Sequence, residues 1–159
     1  LLHPPGAGWN ARAEALLFAA ARSDHVERAI RPALDAGDWV VCDRYLDSSR
    51  AYQGGAGGVD DQTLQTLHRA GTGDLLPDRT LLIEIGPAAA EARLAQRDGS
   101  TSDAIGGRGA AYHAEVAAAF SRMAAQEPER FVRINGDGDQ HTVHARIMRA
   151  IEPLLPIAR

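Results

Sequence analysis

The sequence predicts an α/β fold with a parallel sheet flanked by helices. Three observations predict it. Short apolar β runs at Trp39-Val40-Val41-Cys42, at Thr80-Leu81-Leu82-Ile83-Glu84-Ile85 and at Phe131-Val132-Arg133-Ile134 are separated by long stretches of helical periodicity, and strands alternating with helices build βαβ units. The run 80–85 is apolar almost throughout, as strands covered on both faces are. The first run ends abruptly in Asp43-Arg44 and a polar, glycine-rich segment to Asp60. Open α/β sheets bind ligands just beyond the carboxyl ends of their strands, where such an acid and arginine would sit.

The elements follow in order. Residues 1–10 hold two prolines, two glycines and a tryptophan and read as an irregular lead-in. From Ala11 to Ala36 the spacing is helical, with Leu16, Leu17, Ala20 and Ala21 on one stripe and Val26, Ile30, Ala33 and Leu34 on another. Asp24 and Glu27 have capping-box spacing and Pro32 disfavours a straight interior, so the stretch is two helices or one kinked helix. Gly37 stops it. Strand 39–43 and a long loop come next. Asp60 or Asp61 caps a helix to about Ala70, with Leu64 and Leu67 inward. After strand 80–85, Gly86-Pro87 opens a helix to about Arg97 with proline in its first turn. Residues 98–108 are short, polar and glycine-rich, the character of a lid over a site. Gly109 to Gln126 is helical, with Tyr112, Val116, Phe120 and Met123 on one face. Strand 131–134, a turn at 135–139 and an amphipathic helix over 140–154 close the chain.

Length and composition bound the function. A chain of 159 residues supports one domain, and we expect 1–159 to be a single domain with a lid at about 98–110. No apolar run reaches membrane-spanning length, and a net charge of −4 argues against a duplex-DNA binder. No secretory signal is evident, and the single cysteine, Cys42, cannot pair internally. A reducing, cytoplasmic location is expected. All 17 basic residues are arginine. A Walker A loop needs a lysine to reach the β and γ phosphates, so these 159 residues contain none.

The segment DRYLDSSRAYQGG, residues 43–55, resembles the signature loop of thymidylate kinases, with Asp-Arg-Tyr, paired serines and Ala-Tyr-Gln-Gly in the same order and spacing. The likeness runs from about Ala13 to the end of the chain. It includes Glu14-Ala15-Leu16-Leu17-Phe18-Ala19-Ala20-Ala21-Arg22, His25-Val26-Glu27, Ile30-Arg31-Pro32-Ala33-Leu34 and Leu76-Pro77-Asp78. It implies a P-loop nucleoside-monophosphate-kinase-like sheet, amino-terminally truncated, with about three strands left. The beginning with Leu1 in place of Met fits that expectation. The portion carrying the P-loop would include the central strand between 39–43 and 80–85. Those two strands would then either close up on each other or leave a poorly stable domain.

Phosphoryl transfer needs a magnesium carboxylate, cations on the moving group and a pocket for the acceptor. Asp43 suits the metal, or else is an N-cap or an ion pair with Arg44. Arg44 is a planar fork suited to phosphate, and by resemblance it contacts the phosphate of the nucleoside monophosphate. Phe18 alone would read as core. Arg22, one turn later on the same side, makes an aromatic plate with an arginine beside it, and the resemblance has these stack on thymine and read the base. By resemblance Ser49, Tyr52 and Gln53 match positions that contact base and sugar, with Tyr52 in the place of a ribose 2′-hydroxyl; Ser48 matches too, or else only turns the backbone as loop serines do. Arg93 and Arg97 are ordinary partners of a helix C-terminus by themselves. By resemblance they reach phosphate from the lid. The usual Asp-Arg-x-Glu of the lid is here Asp103-Ala104-Ile105-Gly106, so Arg97 or Arg108 would replace the missing arginine. By the same resemblance, Asn135 and Gly136 fall where the family's adenine pocket lies. His141 and His144 read as a solvated face, and His25 and His113 as structural.

The resemblance therefore implies transfer of the γ-phosphate of ATP to dTMP with Mg2+, on an enzyme that is usually a homodimer. Without its P-loop, this chain is expected to be inactive. The alternatives are another nucleoside-monophosphate kinase, or a non-catalytic remnant that packs against a partner.

Overall fold

The computed structural model describes residues 8–86 and 107–155. The expected helix from Pro87 and most of the expected lid, with Arg93 and Arg97, lie outside the described residues. The chain divides into two compact units, Leu1–Leu76 with Asp103–Arg122, and Pro77–Ser102 with Met123–Arg159.

The first unit is helical. Helix α1, Ala11–His25, starts at Asn10, whose side chain accepts from the Ala13 N–H at 2.9 Å and so satisfies one orphan donor of the first turn. The helical path continues through a π turn, Val26–Ile30, into α2, Arg31–Asp35. The kink expected near Pro32 is this π turn. Proline has no N–H and crowds the carbonyl four residues back, and the wider turn lets the Arg31 N–H reach the Val26 carbonyl instead. Asp24 is not a cap here; it pairs with Arg28 at 2.5 Å. Gly37, at φ +84°, ends the run.

Residues 39–43 form no strand, which corrects the sequence expectation. A β run gains its backbone hydrogen bonds only from a neighbouring strand, and no strand pairs with this one among the described residues. Val41 is 95% and Trp39 55% exposed.

The segment after Asp43-Arg44, expected to be a loop, is helical: α3, Leu46–Ser49, runs straight into a second π turn, Arg50–Gly55. Its inward side chains are Leu46, Asp47, Ser49, Ala51 and Gln53. Helix α4, Asp61–Thr72, is capped by Asp60, which accepts from the Thr63 N–H at 2.9 Å, and ends at Gly73 in the left-handed region. Leu64 and His68 are its buried face, and α1 packs against both α4 and the π turn at 50–55.

The second unit holds the sheet. Strands β1, Thr80–Glu84, and β2, Phe131–Asn135, pair in parallel from Thr80 opposite Phe131 to Glu84 opposite Asn135. The parallel α/β class is as the sequence predicts. The sheet has two strands among the described residues, not about three, because 39–43 is left out. Helix α5, Ala110–Gln126, belongs to the first unit up to Arg122 and precedes β2 in the chain; α6, Gln140–Ile151, follows β2 behind an Asp139 cap. No helix among the described residues is long and apolar enough to cross a membrane.

Candidate functional site

Most of the expected site residues lie in the first unit, on α1 and on the helical segment 46–55. The link between these elements is Arg22. Its guanidinium donates to the Ser49 hydroxyl at 2.7 Å and to the Tyr45 carbonyl at 3.3 Å, and lies over the Tyr45 ring at 5.5 Å. Burial pulls its pKa down; Tyr45, Cys42 and Asp47 partly offset that. Phe18, half-buried, stands one helical turn before Arg22 on α1.

Arg44 has a backbone φ of +64°. A side chain in that region costs on the order of 1 kcal/mol, and such strain concentrates where a side chain must be aimed. The Cys42 thiol donates to the Arg44 carbonyl at 3.4 Å and holds the turn. Asp43 and Arg44 do not form the ion pair that was one reading of the sequence. The guanidinium lies over the Tyr52 ring at 5.0 Å, and Asp43 is exposed.

Tyr52 is half-buried and Gln53 buried on the π turn. A π turn spaces side chains differently from an α turn, and such turns recur at functional sites. Gln53 donates from its amide to the Glu14 carboxylate at 3.1 Å. Glu14 also pairs with Arg108. Arg108 in turn donates to the Tyr112 hydroxyl at 2.6 Å, and that hydroxyl donates to the Tyr52 carbonyl at 2.9 Å. Burial alone would lower the Arg108 pKa, but Glu14 and Tyr112 outweigh it and raise it. Ser48 is half-buried beside Ser49 on α3.

The segment is braced from behind. Asp47 and Arg50 pair at 3.6 Å, and Arg50 forks onto Asp61 of α4 at 2.7 and 3.0 Å. His68 of α4 meets the Tyr45 ring edge-on at 5.3 Å, and both His68 and the Tyr45 hydroxyl bond to the Leu75 carbonyl, at 2.9 and 3.1 Å.

The chemistry this offers is a base-sized aromatic, an arginine beside it on the same helix, a second arginine on a strained turn, and one exposed carboxylate. Asn135 and Gly136 belong to the other unit. The Asn135 side chain accepts from the Asp137 N–H at 2.8 Å within the turn, and its carbonyl accepts from Arg146 of α6 at 2.7 Å. A Cβ on Gly136 would come within 2.7 Å of Ile83 and 2.8 Å of Ile85, so close packing requires a glycine there. His141 and His144 are exposed, as is His25, while His113 is half-buried against Tyr112.

The thymidylate kinase family model matches residues 6–147. This chain belongs to the thymidylate kinase family. It is 55% identical over 148 residues to a thymidylate kinase of Rhizorhabdus wittichii, covering 93% of this chain and 71% of that protein. It is 40% identical over 156 residues to one of Symbiobacterium thermophilum, covering 98% and 72%. A Bradyrhizobium diazoefficiens thymidylate kinase is 43% identical over 146 residues, and there the chain covers 91% of itself and 64% of the relative. The crystal structure of the Ehrlichia chaffeensis thymidylate kinase superposes with a TM-score of 0.69 at 24% identity, over 95% of this chain and 70% of that one. That likeness shows the fold. The relatives are named thymidylate kinase, that is, nucleoside-monophosphate phosphotransferases.

In the sequence Glu14 reads only as part of the motif, and Tyr45, Asp47, Arg50 and His68 carry no assigned role. Glu14 was findable: it stands at i, i+4, i+8 with Phe18 and Arg22, one lone acid on the face of a thymidylate kinase helix that carries the aromatic and the arginine.

Proposed function

We propose that this chain forms the acceptor half of a thymidylate kinase, holding dTMP where α1 meets the segment 43–55 for phosphorylation by ATP. The Arg22–Ser49 hydrogen bond at 2.7 Å carries the reading, because it brings the base-side candidates of two separate segments together. Phe18 stacks the base and Arg22 bonds its edge. Ser48, Ser49, Tyr52 and Gln53 enclose base and sugar. Arg44 holds the phosphate.

Asp43 is the magnesium carboxylate. No group of three His, Cys, Asp or Glu among the described residues could cage a metal. Mg2+ keeps several waters and takes one or two carboxylates together with the nucleotide phosphates. When bound, the ion neutralises charge on the phosphates being exchanged. Arg93 and Arg97 are the lid-side cations, and Asn135 and Gly136 the adenine end, on family likeness; Arg108 is held against Glu14 and Tyr112 instead. The usual homodimer belongs to the same reading.

Since these residues include no Walker A lysine, the chain alone should bind the acceptor and not turn over ATP. Calorimetric titration with dTMP, dUMP, dGMP and dCMP tests the first part; dTMP should bind tightest, and no binding of any of them overturns it. ATP turnover above a boiled control overturns the second part. Phe18→Ala should weaken dTMP binding by more than about 1 kcal/mol, the lower end of base–aromatic stacking, and unchanged affinity removes Phe18 from the site.

A further inference from the structure

We propose that Glu14 is a positioning residue of the acceptor site, its two carboxylate oxygens setting the amide of Gln53 and the guanidinium of Arg108. The inference rests on the acceptor-site reading and names a residue that reading does not use.

Glu14 is 7% exposed and Gln53 2%. A carboxylate in such a place needs partners on both oxygens, and each oxygen has one. Oε2 accepts from Gln53 Nε2 at 3.1 Å, and Oε1 accepts from Arg108 Nη2. An ionised carboxylate only accepts. It therefore fixes which end of the Gln53 amide faces it, and leaves the carbonyl end for the other side. An amide at position 14 has a donor and an acceptor of its own, so it would tolerate either orientation of Gln53. The charge of Glu14 is thus what gives Gln53 one polarity.

The Arg108 arm extends the effect. Arg108 Nη1 donates to the Tyr112 hydroxyl, its Cζ lies over the Tyr112 ring at 4.7 Å, and Tyr112 holds the Tyr52 carbonyl. Tyr52 carries the Arg44 guanidinium on its ring. From one buried acid, two routes reach Gln53 and Tyr52, neighbours on the π turn. Arg108 is spoken for by Glu14 and Tyr112, so it acts here as a brace.

The test uses the 159-residue chain, titrated with dTMP. Glu14→Gln should weaken dTMP binding about fivefold, the worth of one net hydrogen bond. In a Gln53→Ala background the same change should cost less than about twofold, since effects acting through one shared partner do not add. Glu14→Gln binding dTMP like the unaltered chain overturns the inference, as does an equal loss with and without Gln53. If Glu14→Gln fails to fold, Arg108→Gln carries the test: a loss of about twofold in dTMP affinity is expected for a partly exposed ion pair, and unchanged affinity overturns the inference. An unaltered chain that does not bind dTMP overturns the acceptor-site reading itself, and this inference with it.

Discussion

Replacing Arg50 with Met should lower the melting temperature by about 6–12 °C, corresponding to about 3 kcal/mol for a chain of this size. Arg50 leaves the π turn with its side chain only 8% exposed, beside the Asp47 carboxylate at 6%, and forks onto Asp61 of α4. Methionine fills much of the volume, so the loss reports charge more than packing. The Asp47 carboxylate would then sit buried without its guanidinium, and removing one partner of a buried pair is far costlier than the pair is worth. The half-exposed Asp61 contact adds at most about 1 kcal/mol.

The same substitution has a pH signature. The Asp61 pKa is lowered, chiefly by the hydrogen bond from Arg50, with burial opposing and Gln65 helping. A carboxyl whose folded pKa is depressed gives stability that is full above its unfolded value, near 4, and is lost as pH falls through the folded one. Arg50→Met should therefore flatten the acid end of the stability curve below about pH 4 as well as lowering the plateau. Thermal melts from pH 2.5 to 8 read both. A plateau unchanged within about 2 °C would show that Asp47 is satisfied without Arg50.

The distribution of what was legible in the sequence has a physical pattern. Caps and stops depend on neighbours along the chain, so Asp60 and Gly37 could be read locally, and the parallel class followed from strands alternating with helices. Strand 39–43 could not be settled that way. Its composition is that of a strand, but a strand exists only if another lies beside it, and composition does not report the neighbour. The helical state of 46–55 was hidden by Ser48, Ser49, Gly54 and Gly55, which weaken helix propensity; burial of Leu46, Ala51 and Gln53 overrides that preference. At the site, Phe18, Arg22, Arg44, Tyr52 and Gln53 were named because their side chains have chemistry a nucleotide needs. The supports were missed because their role is a distance of 39 residues from Gln53 to Glu14, or of 94 from Arg108 to Glu14, and periodicity does not reach so far.

His68→Ala should cost on the order of 3 kcal/mol at pH 7.5, from the cavity left by a side chain in a residue 1% exposed and from the lost bond to Leu75. The carbonyl of Leu75 can only accept, so Nε2 carries the proton in this bond. Burial is the main cause that lowers the His68 pKa; the Leu75 carbonyl, Asp74 and Asp47 resist it and Arg22 adds to it. The unfolded chain, with an imidazole near 6.5, takes up that proton more readily than the folded one. Stability from His68 is therefore full above about pH 6.5 and declines as pH falls through that value toward the folded pKa. The alanine variant should be less stable at pH 7.5 yet lose less stability between about pH 7 and pH 5 than the unaltered chain. Because His68 braces Tyr45, and Tyr45 lies under Arg22, the variant should also bind dTMP more weakly. Parallel slopes for the two proteins across that range would mean that the imidazole takes up its proton in the fold as readily as outside it, and that α4 supports Tyr45 by shape alone.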